Sequence, residues 1–310
     1  MSAPTDGDVK LLKILHQSGP SGKQIRRPNM AGQAEEKALL DFVVQALSPI
    51  DGIAAIVLGG SRGSRRHQPD SDYDIGIYYR RIRPFDPNAL EVAAAGLDDE
   101  KRPGLVTPFG GWGPWVDGGG WLKARGCAVD LIYRDLERVD RIIDDALAGR
   151  YQRNYQQGHP AGFPSIIYAG EVANCRVLWD PESAIESRKR QLSPYPEPLR
   201  ATVIQRALDE ARFSVLIGLK GAKRGDVAYV AGCAYRAAAC VTQVLFALNC
   251  QWWLNEKGSV ALADAFAAKP TDFRSRLENA LARLGTSPDD LRTALETIAI
   301  LAEETAALAI

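Results

Sequence analysis

The chain has 310 residues, of which 46% are hydrophobic and 25% charged, and its 38 Lys and Arg residues balance its 38 Asp and Glu residues. This is globular composition, with enough apolar residues for one large or two smaller domains. The zero net charge excludes a chain-wide basic field, so we do not expect nucleic acid to be the main partner. No apolar run of about 20 residues predicts a membrane span. Five cysteines without a C-x-x-C pair, and no signal-peptide pattern, lead us to expect a cytoplasmic protein.

The N-terminal part of the chain shows little helical or strand pattern before residue 34. Residues 1–33 are polar, contain Gly and Pro, and have too few apolar residues for a core, so we predict a flexible leader. The segment AEEKALLDFVVQAL then predicts a helix over 34–47. Two β-rich runs follow, IAAIVL and DIGIYY, and they predict strands over 53–58 and 74–79. The first run is apolar throughout, as expected of a strand buried on both faces.

The segment between these two strands carries a distinctive motif, GGSRGSRRHQPDSDYD. The first strand ends in Gly59, Gly60 and Ser61, and the second begins at Asp72 and Asp74. Because strand side chains alternate between faces, the two aspartates should share one face, where their carboxylates repel each other unless a cation lies between them. Mg²⁺ prefers such oxygen ligands, and the glycines leave backbone N–H groups open to phosphate oxygens. The motif predicts a phosphate-binding turn facing a metal-binding pair, with a solvated surface turn as the alternative.

The next part of the chain alternates between helical and β-rich segments. This mixture predicts an α+β fold with a small mixed sheet and flanking helices, rather than regular βαβ repeats. Asp130 lies inside the β-rich run GCAVDLIYRD. Because a charged residue in such a run is rarely buried without a partner, we expect it at a metal or at an exposed face of the strand. The predicted elements are a helix at 88–98, β-like segments at 104–107 and 120–133, and a helix at 136–149.

From residue 180 onwards the pattern changes to helical. The segment DPESAIESRKRQLSPYPEP has three prolines near its end and predicts a linker over 181–198. Beyond it, apolar residues at helical spacing predict a helix at 199–221, and 226–249 is apolar almost all round, as in the buried central helix of a bundle. A Ser-Pro-Asp-Asp cap predicts a last helix from residue 288. We therefore predict a first domain over 34–180 and an all-α bundle of four or five helices over 199–310.

The motif between the strands resembles the signature of a known enzyme superfamily. A GGS turn, ten further residues and then DYD, flanked by apolar strands, are similar to the DNA polymerase β-type nucleotidyltransferases. Within that superfamily the chain is most similar to the small bacterial enzymes, including the aminoglycoside and lincosamide nucleotidyltransferases. The resemblance covers roughly residues 40–180 and is weaker beyond. One departure is Arg65, where many relatives carry Gly.

The resemblance implies a function and a set of site residues. The reaction would transfer a nucleoside monophosphate, AMP from ATP or its counterpart from another NTP, to a hydroxyl of a small molecule such as an antibiotic or metabolite, releasing pyrophosphate. Two Mg²⁺ ions, with Mn²⁺ as an alternative, would be held by the catalytic carboxylates. The family's third carboxylate corresponds to Asp130, which could also be the general base. The implied metal ligands are Asp72, Asp74 and Asp130, and the implied phosphate-binding residues are Gly59, Gly60, Ser61 and Arg62.

Several other polar and aromatic residues are candidates with a structural alternative. Lys257, in LNEKG, could reach the triphosphate from the helical domain or be a solvated lysine. Glu171 could be an extra base or a solvated residue, and His159 and His67 are more typical of loop positions. The glycine-rich stretch with Trp112, Trp115 and Trp121 predicts either a wall of a substrate pocket or the core of a turn-rich hairpin.

Two other functions remain open at this point. A nucleotidyltransferase of the toxin–antitoxin type would modify a protein or an RNA, and we would expect a basic acceptor surface, which the zero net charge does not favour. A non-catalytic nucleotide-binding protein would not need all three aspartates and the GGS turn, and this chain has them. We therefore expect an NTP and a small hydroxylated acceptor as partners, with neither nucleic acid nor a membrane.

Overall fold

The computed structural model describes residues 30–64 and 71–309. Most of the predicted leader, together with Arg65 and His67, lies outside them. Among the described residues, those from Leu39 onwards belong to one compact unit, and 30–38 do not belong to it. The strands are β1 (Ile53–Leu58), β2 (Tyr73–Tyr79), β3 (Gly119–Ala124), β4 (Cys127–Asp135), β5 (Arg153–Asn154), β6 (Phe163–Pro164) and β7 (Arg176–Trp179). The helices are α1 (Met30–Leu47), α2 (Gly60–Gly63), α3 (Pro87–Leu97), α4 (Leu136–Leu147), α5 (Ile167–Asn174), α6 (Ala184–Gln191), α7 (Glu197–Ala222), α8 (Val227–Leu248), α9 (Ser259–Ala263), α10 (Phe273–Ala282) and α11 (Pro288–Ala307).

A five-stranded mixed sheet forms the centre of the first half, in the order β3-β4-β2-β1-β7. Strands β2 and β4 are parallel, and the other neighbouring pairs are antiparallel. Strand alternation divides the core in two. Residues such as Ile56 and Ile75 pack on one face with Val43 of α1, whereas Ala55 and Tyr78 pack on the other face with the helices that follow β4. The predicted α+β fold with a small mixed sheet is confirmed.

The second half is helical, with five helices between Glu197 and Ala307 among the described residues. Its longest helices, α7 and α8, pack along each other, and α11 packs against both. Helix α8 is long and apolar enough to cross a membrane by length and composition, but 72% of its most apolar window is buried. Core helices of soluble proteins pass the same test. A single apolar cluster joins these helices to the sheet face that carries Ala55 and Tyr78, so the helical part covers that face.

Most predicted elements are present, with ends that differ by at most four residues. The segment 104–107 is not a strand, because only Val106 pairs, through one isolated bridge to Gly120. The β-rich segment 120–133 is a hairpin, in which Arg125 and Gly126 turn the chain with positive φ. The predicted domain boundaries themselves stay a prediction.

The segment 181–198, predicted as a linker, contains helix α6. Ile185 of this helix is fully buried in the core. Arg188 forms two hydrogen bonds of 2.5 Å with the Asp140 carboxylate of α4. The prolines and charged residues suggested an extended solvated segment, but one buried apolar position and one long-range ion pair are sufficient to dock a short helix here.

Candidate active site

The predicted aspartates meet where β2 and β4 run side by side. Asp74 and Asp130 are directly paired residues of these parallel strands. Asp130 is also paired with Trp121 of the neighbouring strand β3. Because paired residues of neighbouring strands point to the same face, the three side chains form a row across the sheet. The residues that alternate with them, such as Ile75 and Leu131, are fully buried on the opposite face.

The glycine turn lies directly against Asp74. The Gly59 amide donates a hydrogen bond of 2.7 Å to the Asp74 carbonyl oxygen. Gly60 has a φ of +55°, and a Cβ at this position would collide with the Asp74 carboxylate. Both the backbone conformation and the lack of space therefore require glycine at position 60. The turn and the second aspartate of the motif thus form one local unit.

The remaining motif residues lie around this unit. Ser61 is partly exposed at the start of α2, and Asp72 is exposed just before β2 begins. Arg62 is buried, and its Nε donates a hydrogen bond of 2.9 Å to the Ser71 carbonyl oxygen. Its guanidinium carbon lies 3.9 Å from the centre of the Tyr73 ring. These contacts hold the segment before β2 against the turn, and the phosphate contact of Arg62 stays a prediction.

The surroundings of Asp74 favour the neutral form of its carboxyl group. Burial raises the pKa of its carboxyl to about 6, and repulsion from Asp72 and Glu171 adds to the rise. The positive charges of Lys257 and Arg134 act in the opposite direction and lower this pKa in part. The Asp74 carboxylate is therefore a site where an added cation would be stabilised.

Asp130 is affected in the same way. Burial raises the pKa of its carboxyl to about 7, repulsion from Asp74 and Asp72 contributes, and Lys257 lowers it in part. Lys257 lies in the loop between α8 and α9, and its positive charge acts on both carboxyls in the same direction. The contact of Lys257 with a triphosphate stays a prediction.

One charged residue beside this pair, Arg134, is not among the predicted site residues. Arg134 lies four residues after Asp130 on β4 and is buried, with side-chain exposure of only 5%. Its Nε and Nη2 each donate a hydrogen bond of 2.7 Å to the Glu171 carboxylate. Glu171 is therefore committed to an ion pair rather than free as a base or solvated. The position of Arg134 in the run GCAVDLIYRD, at the same strand parity as Asp130, was the available signal.

The carboxylate oxygens of Asp74 and Asp130 are ligands of the type that a divalent cation prefers. Asp74 and Asp130 offer only carboxylate oxygens from neighbouring positions on one face of the sheet, and repulsion from Asp74 helps to raise the pKa of Asp130. Within residues 32–64 and 71–309, no three His, Cys, Asp or Glu side chains are already gathered as a metal-binding group. The pair fits a cation, and the predicted three-residue set with Asp72 stays a prediction.

The three tryptophans have different surroundings, and the predicted role of Trp112 and Trp121 in a pocket wall stays a prediction. Trp112 and Trp121 stack with ring centres 4.6 Å apart, and Trp121 is 60% exposed beside Asp130. Trp115 instead packs on Phe163, with ring centres 5.7 Å apart, at the edge of the helical core. Trp121 and Trp112 thus present an aromatic surface next to the carboxylates.

His159 lies beside the loop that carries Lys257. Its Nδ1 is 3.1 Å from a carboxylate oxygen of Glu256, and the other carboxylate oxygen accepts a hydrogen bond of 3.0 Å from the Ala161 amide. These contacts anchor the residue that directly precedes Lys257. The contacts found for His159 give it a role in positioning this loop.

Three comparisons with known proteins bear on the chain. Residues 169–257 match a family described as a domain of unknown function (DUF4037). A solved structure of a nucleotidyltransferase-like protein from Exiguobacterium sibiricum 255-15 is similar at 13% sequence identity, with a TM-score of 0.40, over 88% of this chain and 74% of that chain. No curated protein matches the sequence.

Proposed function

We propose that the chain is a nucleotidyltransferase that transfers a nucleoside monophosphate, AMP from ATP, to a hydroxyl group of a small molecule. One observation carries the proposal: the turn, Asp74 and Asp130 come from separate segments and meet at one place. Asp74 and Asp130 are paired across β2 and β4, and Gly60 lies where any side chain would collide with the Asp74 carboxylate. A solvated surface turn would require neither feature.

The chain's residues have separate roles in the proposed reaction. The acceptor oxygen attacks the α-phosphorus, the bond from that phosphorus to the bridging oxygen breaks, and pyrophosphate leaves. Asp130 accepts the proton of the acceptor hydroxyl, because a carboxyl whose pKa is raised to about 7 suits proton transfer near neutral pH. The backbone amides of the turn and the Ser61 hydroxyl hold the phosphates, and Lys257 offsets their charge.

Divalent cations belong to this proposal. Asp74 and Asp130, with Asp72, would hold Mg²⁺ or Mn²⁺, and the bound cation would offset phosphate charge and orient the reacting groups. Without such compensation, three carboxylates close to the turn would repel a triphosphate. We therefore include two ions in the proposal, as the resemblance to the superfamily implies.

The acceptor in this proposal is a small molecule that lies against Trp121. The exposed indole stands next to Asp130 in the row across the sheet, and Trp112 supports it from behind. Such a surface suits the flat face of a sugar or a planar ring. We place the activity in the cytoplasm, because all five cysteines are free thiols.

Product analysis with the full chain tests this function. The protein is incubated with each NTP, with Mg²⁺, Mn²⁺ or EDTA, and with pooled hydroxylated small molecules; we expect metal-dependent pyrophosphate release and an acceptor heavier by one nucleoside monophosphate. Asp74→Asn should lose this activity. Asp51→Asn, at an exposed position in a surface ion pair, is the matched control and should retain it.

The same assay separates the alternatives. If labelled nucleotide is transferred to protein or RNA and to none of the small molecules, the acceptor is a macromolecule rather than a small molecule. Nucleotide binding without transfer to any acceptor class would favour a non-catalytic protein.

A further inference from the structure

A pocket of about 510 Å³ lies between the segment 151–162 and the first two helices of the helical half. Neither Asp74 nor Asp130 lines it, and its volume is in the range of small-molecule sites. The segment that contains β5 and β6 forms one side, and α7 and α8 form the other. Its lining includes Tyr151, Arg153, Asn154, Arg206, Glu210 and Arg236.

The charges in this pocket are strongly unbalanced. Arg153, Arg206 and Arg236 contribute three guanidinium groups, and Glu210 is the one carboxylate among the lining residues, which leaves two uncompensated positive charges. Guanidinium groups match phosphate and carboxylate oxygens in geometry and charge. We propose that this pocket binds a small molecule that carries a doubly charged oxyanion. The inference does not depend on the proposed nucleotidyltransferase function.

Two of the guanidinium groups are fixed before any ligand arrives. Arg153 donates hydrogen bonds to the Ala161 carbonyl at 2.9 Å and to Gln243 at 2.8 Å. Arg236 donates to Glu210 at 2.5 Å and also to the Ala161 carbonyl. Their side chains are only 14% and 29% exposed. Because little side-chain freedom remains to be lost, binding an anion here should cost little ordering entropy.

Two further residues with donor groups, Arg206 and Asn154, line the same pocket. Arg206 is exposed and donates one hydrogen bond of 2.9 Å to the Tyr151 carbonyl, with its guanidinium 4.7 Å from the Tyr151 ring centre. The Asn154 Nδ2 group is buried and has no hydrogen-bond partner in the part of the chain that the structure describes. A buried donor without a partner costs stability, and a rotation of the Asn154 side chain toward a bound oxyanion would recover part of that cost.

The pocket is connected to the candidate active site through one loop. His159 lines the pocket and contacts Glu256, and Glu256 directly precedes Lys257. A ligand in the pocket would lie against His159, whose ring contacts the residue before Lys257. This contact gives the second site a route by which its occupant can alter the position of Lys257.

Calorimetric titration of the full chain tests the proposal. Inorganic phosphate and malonate are the two probes, and they distinguish a phosphate from a dicarboxylate ligand. The titrations contain EDTA at fixed ionic strength, so that no metal-dependent anion site contributes. We expect saturable binding of at least one probe, weakened at least tenfold by Arg206→Gln and retained or strengthened by Glu210→Gln, which removes the opposing charge.

Two control variants separate this pocket from other basic positions. Arg292→Gln changes a half-exposed arginine of α11 that pairs with Asp289, and it should leave binding unchanged. Lys257→Gln should also leave binding unchanged. The melting temperature of each variant shows whether it is folded. If Arg206→Gln lowers the melting temperature, Arg206→Lys is used instead. Lysine keeps the positive charge but lacks the planar guanidinium group, so it should weaken binding less than Arg206→Gln does.

The proposal is overturned by any of three results. The first is that neither probe binds saturably. The second is that Arg206→Gln and Arg292→Gln weaken binding equally, which would indicate a general charge effect. The third is that Lys257→Gln weakens binding while Arg206→Gln does not, which would locate the anion at the paired aspartates. The last result would leave the proposed nucleotidyltransferase function intact, so the two proposals fail independently.

Discussion

Asp74 is the residue on which most of the site's geometry depends, since it contacts the glycine turn and is paired with Asp130. Replacing Asp74 by Asn keeps the shape and removes one negative charge. We expect turnover with ATP and Mg²⁺ to fall more than tenfold, a barrier change above about 1.4 kcal/mol. The melting temperature in EDTA should stay equal or rise, because repulsion from Asp72 is relieved. Turnover above a tenth of normal would exclude Asp74 as a metal ligand.

The raised pKa of Asp130 predicts a pH dependence of stability in the absence of metal. Its folded-state pKa of about 7 exceeds the usual value near 4, so folding favours the protonated form. The contribution of the protonated Asp130 carboxyl to the stability of the fold is fully present below about pH 4 and is lost as pH rises through about 7. Since Asn mimics the neutral acid, Asp130→Asn in EDTA should be more stable than wild type at pH 8, with a smaller difference at pH 5. Thermal unfolding at both pH values measures this. An equal difference at both would contradict the raised pKa.

Trp121 should act on the acceptor rather than on the fold. Its side chain is 60% exposed beside Asp130, so Trp121→Ala removes a stacking surface at little cost in stability. Stacking energies of about 0.5–1.5 kcal/mol predict a rise in the acceptor KM of about threefold to tenfold, with nucleotide KM unchanged. Trp115→Ala is the matched comparison: because Trp115 packs on the core, it should lower the melting temperature instead. If Trp121→Ala lowers the melting temperature as much as Trp115→Ala does, Trp121 has a structural role.

At the scale of elements, α3 is tied to the edge strand β3 through one carboxylate. Asp98 is fully buried, accepts hydrogen bonds from Arg102 at 2.9 and 2.6 Å, and accepts another at 3.0 Å from the Lys123 amide of β3. The Arg102 hydrogen bonds hold the pKa of Asp98 well below its usual range. Its contribution to stability is therefore present above about pH 4 and is lost as pH falls through the lowered pKa.

We predict that Asp98→Asn destabilises the chain by about 3 kcal/mol at pH 7, because it breaks a buried ion pair whose arginine is partly exposed. Urea unfolding at pH 7 measures the change. Asp51→Asn, which breaks an ion pair between two exposed residues, should cost less than about 1 kcal/mol. Equal losses in the two variants would show that burial adds nothing to the Asp98 contact.

The loop after α8 carries Lys257, the lysine that we propose to contact the nucleotide. Lys257 acts on both carboxyls and is exposed, whereas the preceding Glu256 is held by His159 and Ala161. Lys257→Ala should therefore raise the nucleotide KM several-fold with little change in melting temperature, since an exposed surface substitution costs little stability. Steady-state kinetics against ATP measure this. A variant with unchanged KM would indicate a solvated lysine.

At the scale of the whole molecule, the sheet is covered on the Asp74 face by the helices of the second half. One apolar cluster contains Ala55 and Tyr78 from the sheet and Val244 from α8. The carboxylates, Lys257 and the arginine-lined pocket therefore all belong to the same compact unit over Leu39–Ile310. A change in the helical half can reach the carboxylates through packed side chains rather than through a linker.

The sequence by itself determined the local elements and the local part of the site. The apolar run of β1 and the cap before α11 are short-range patterns, and both elements occur where they were predicted. The β-rich run GCAVDLIYRD predicted a strand around Asp130, whereas its place among the metal-binding candidates came from the resemblance to the superfamily. These inferences succeed because side-chain periodicity and turn chemistry depend on neighbouring residues alone.

Only the tertiary structure decided which distant charges meet. Arg134 pairs with Glu171 although 37 residues separate them, and Arg153 meets Gln243 across 90 residues. The docking of α6 through Arg188 is a further case. Such contacts form because burying apolar faces fixes how helices and sheet lie against each other, and the charged groups that this packing brings together must then find partners. No local pattern records that packing, so neither the committed ion pair at Glu171 nor the arginine pocket could be inferred from the order of residues.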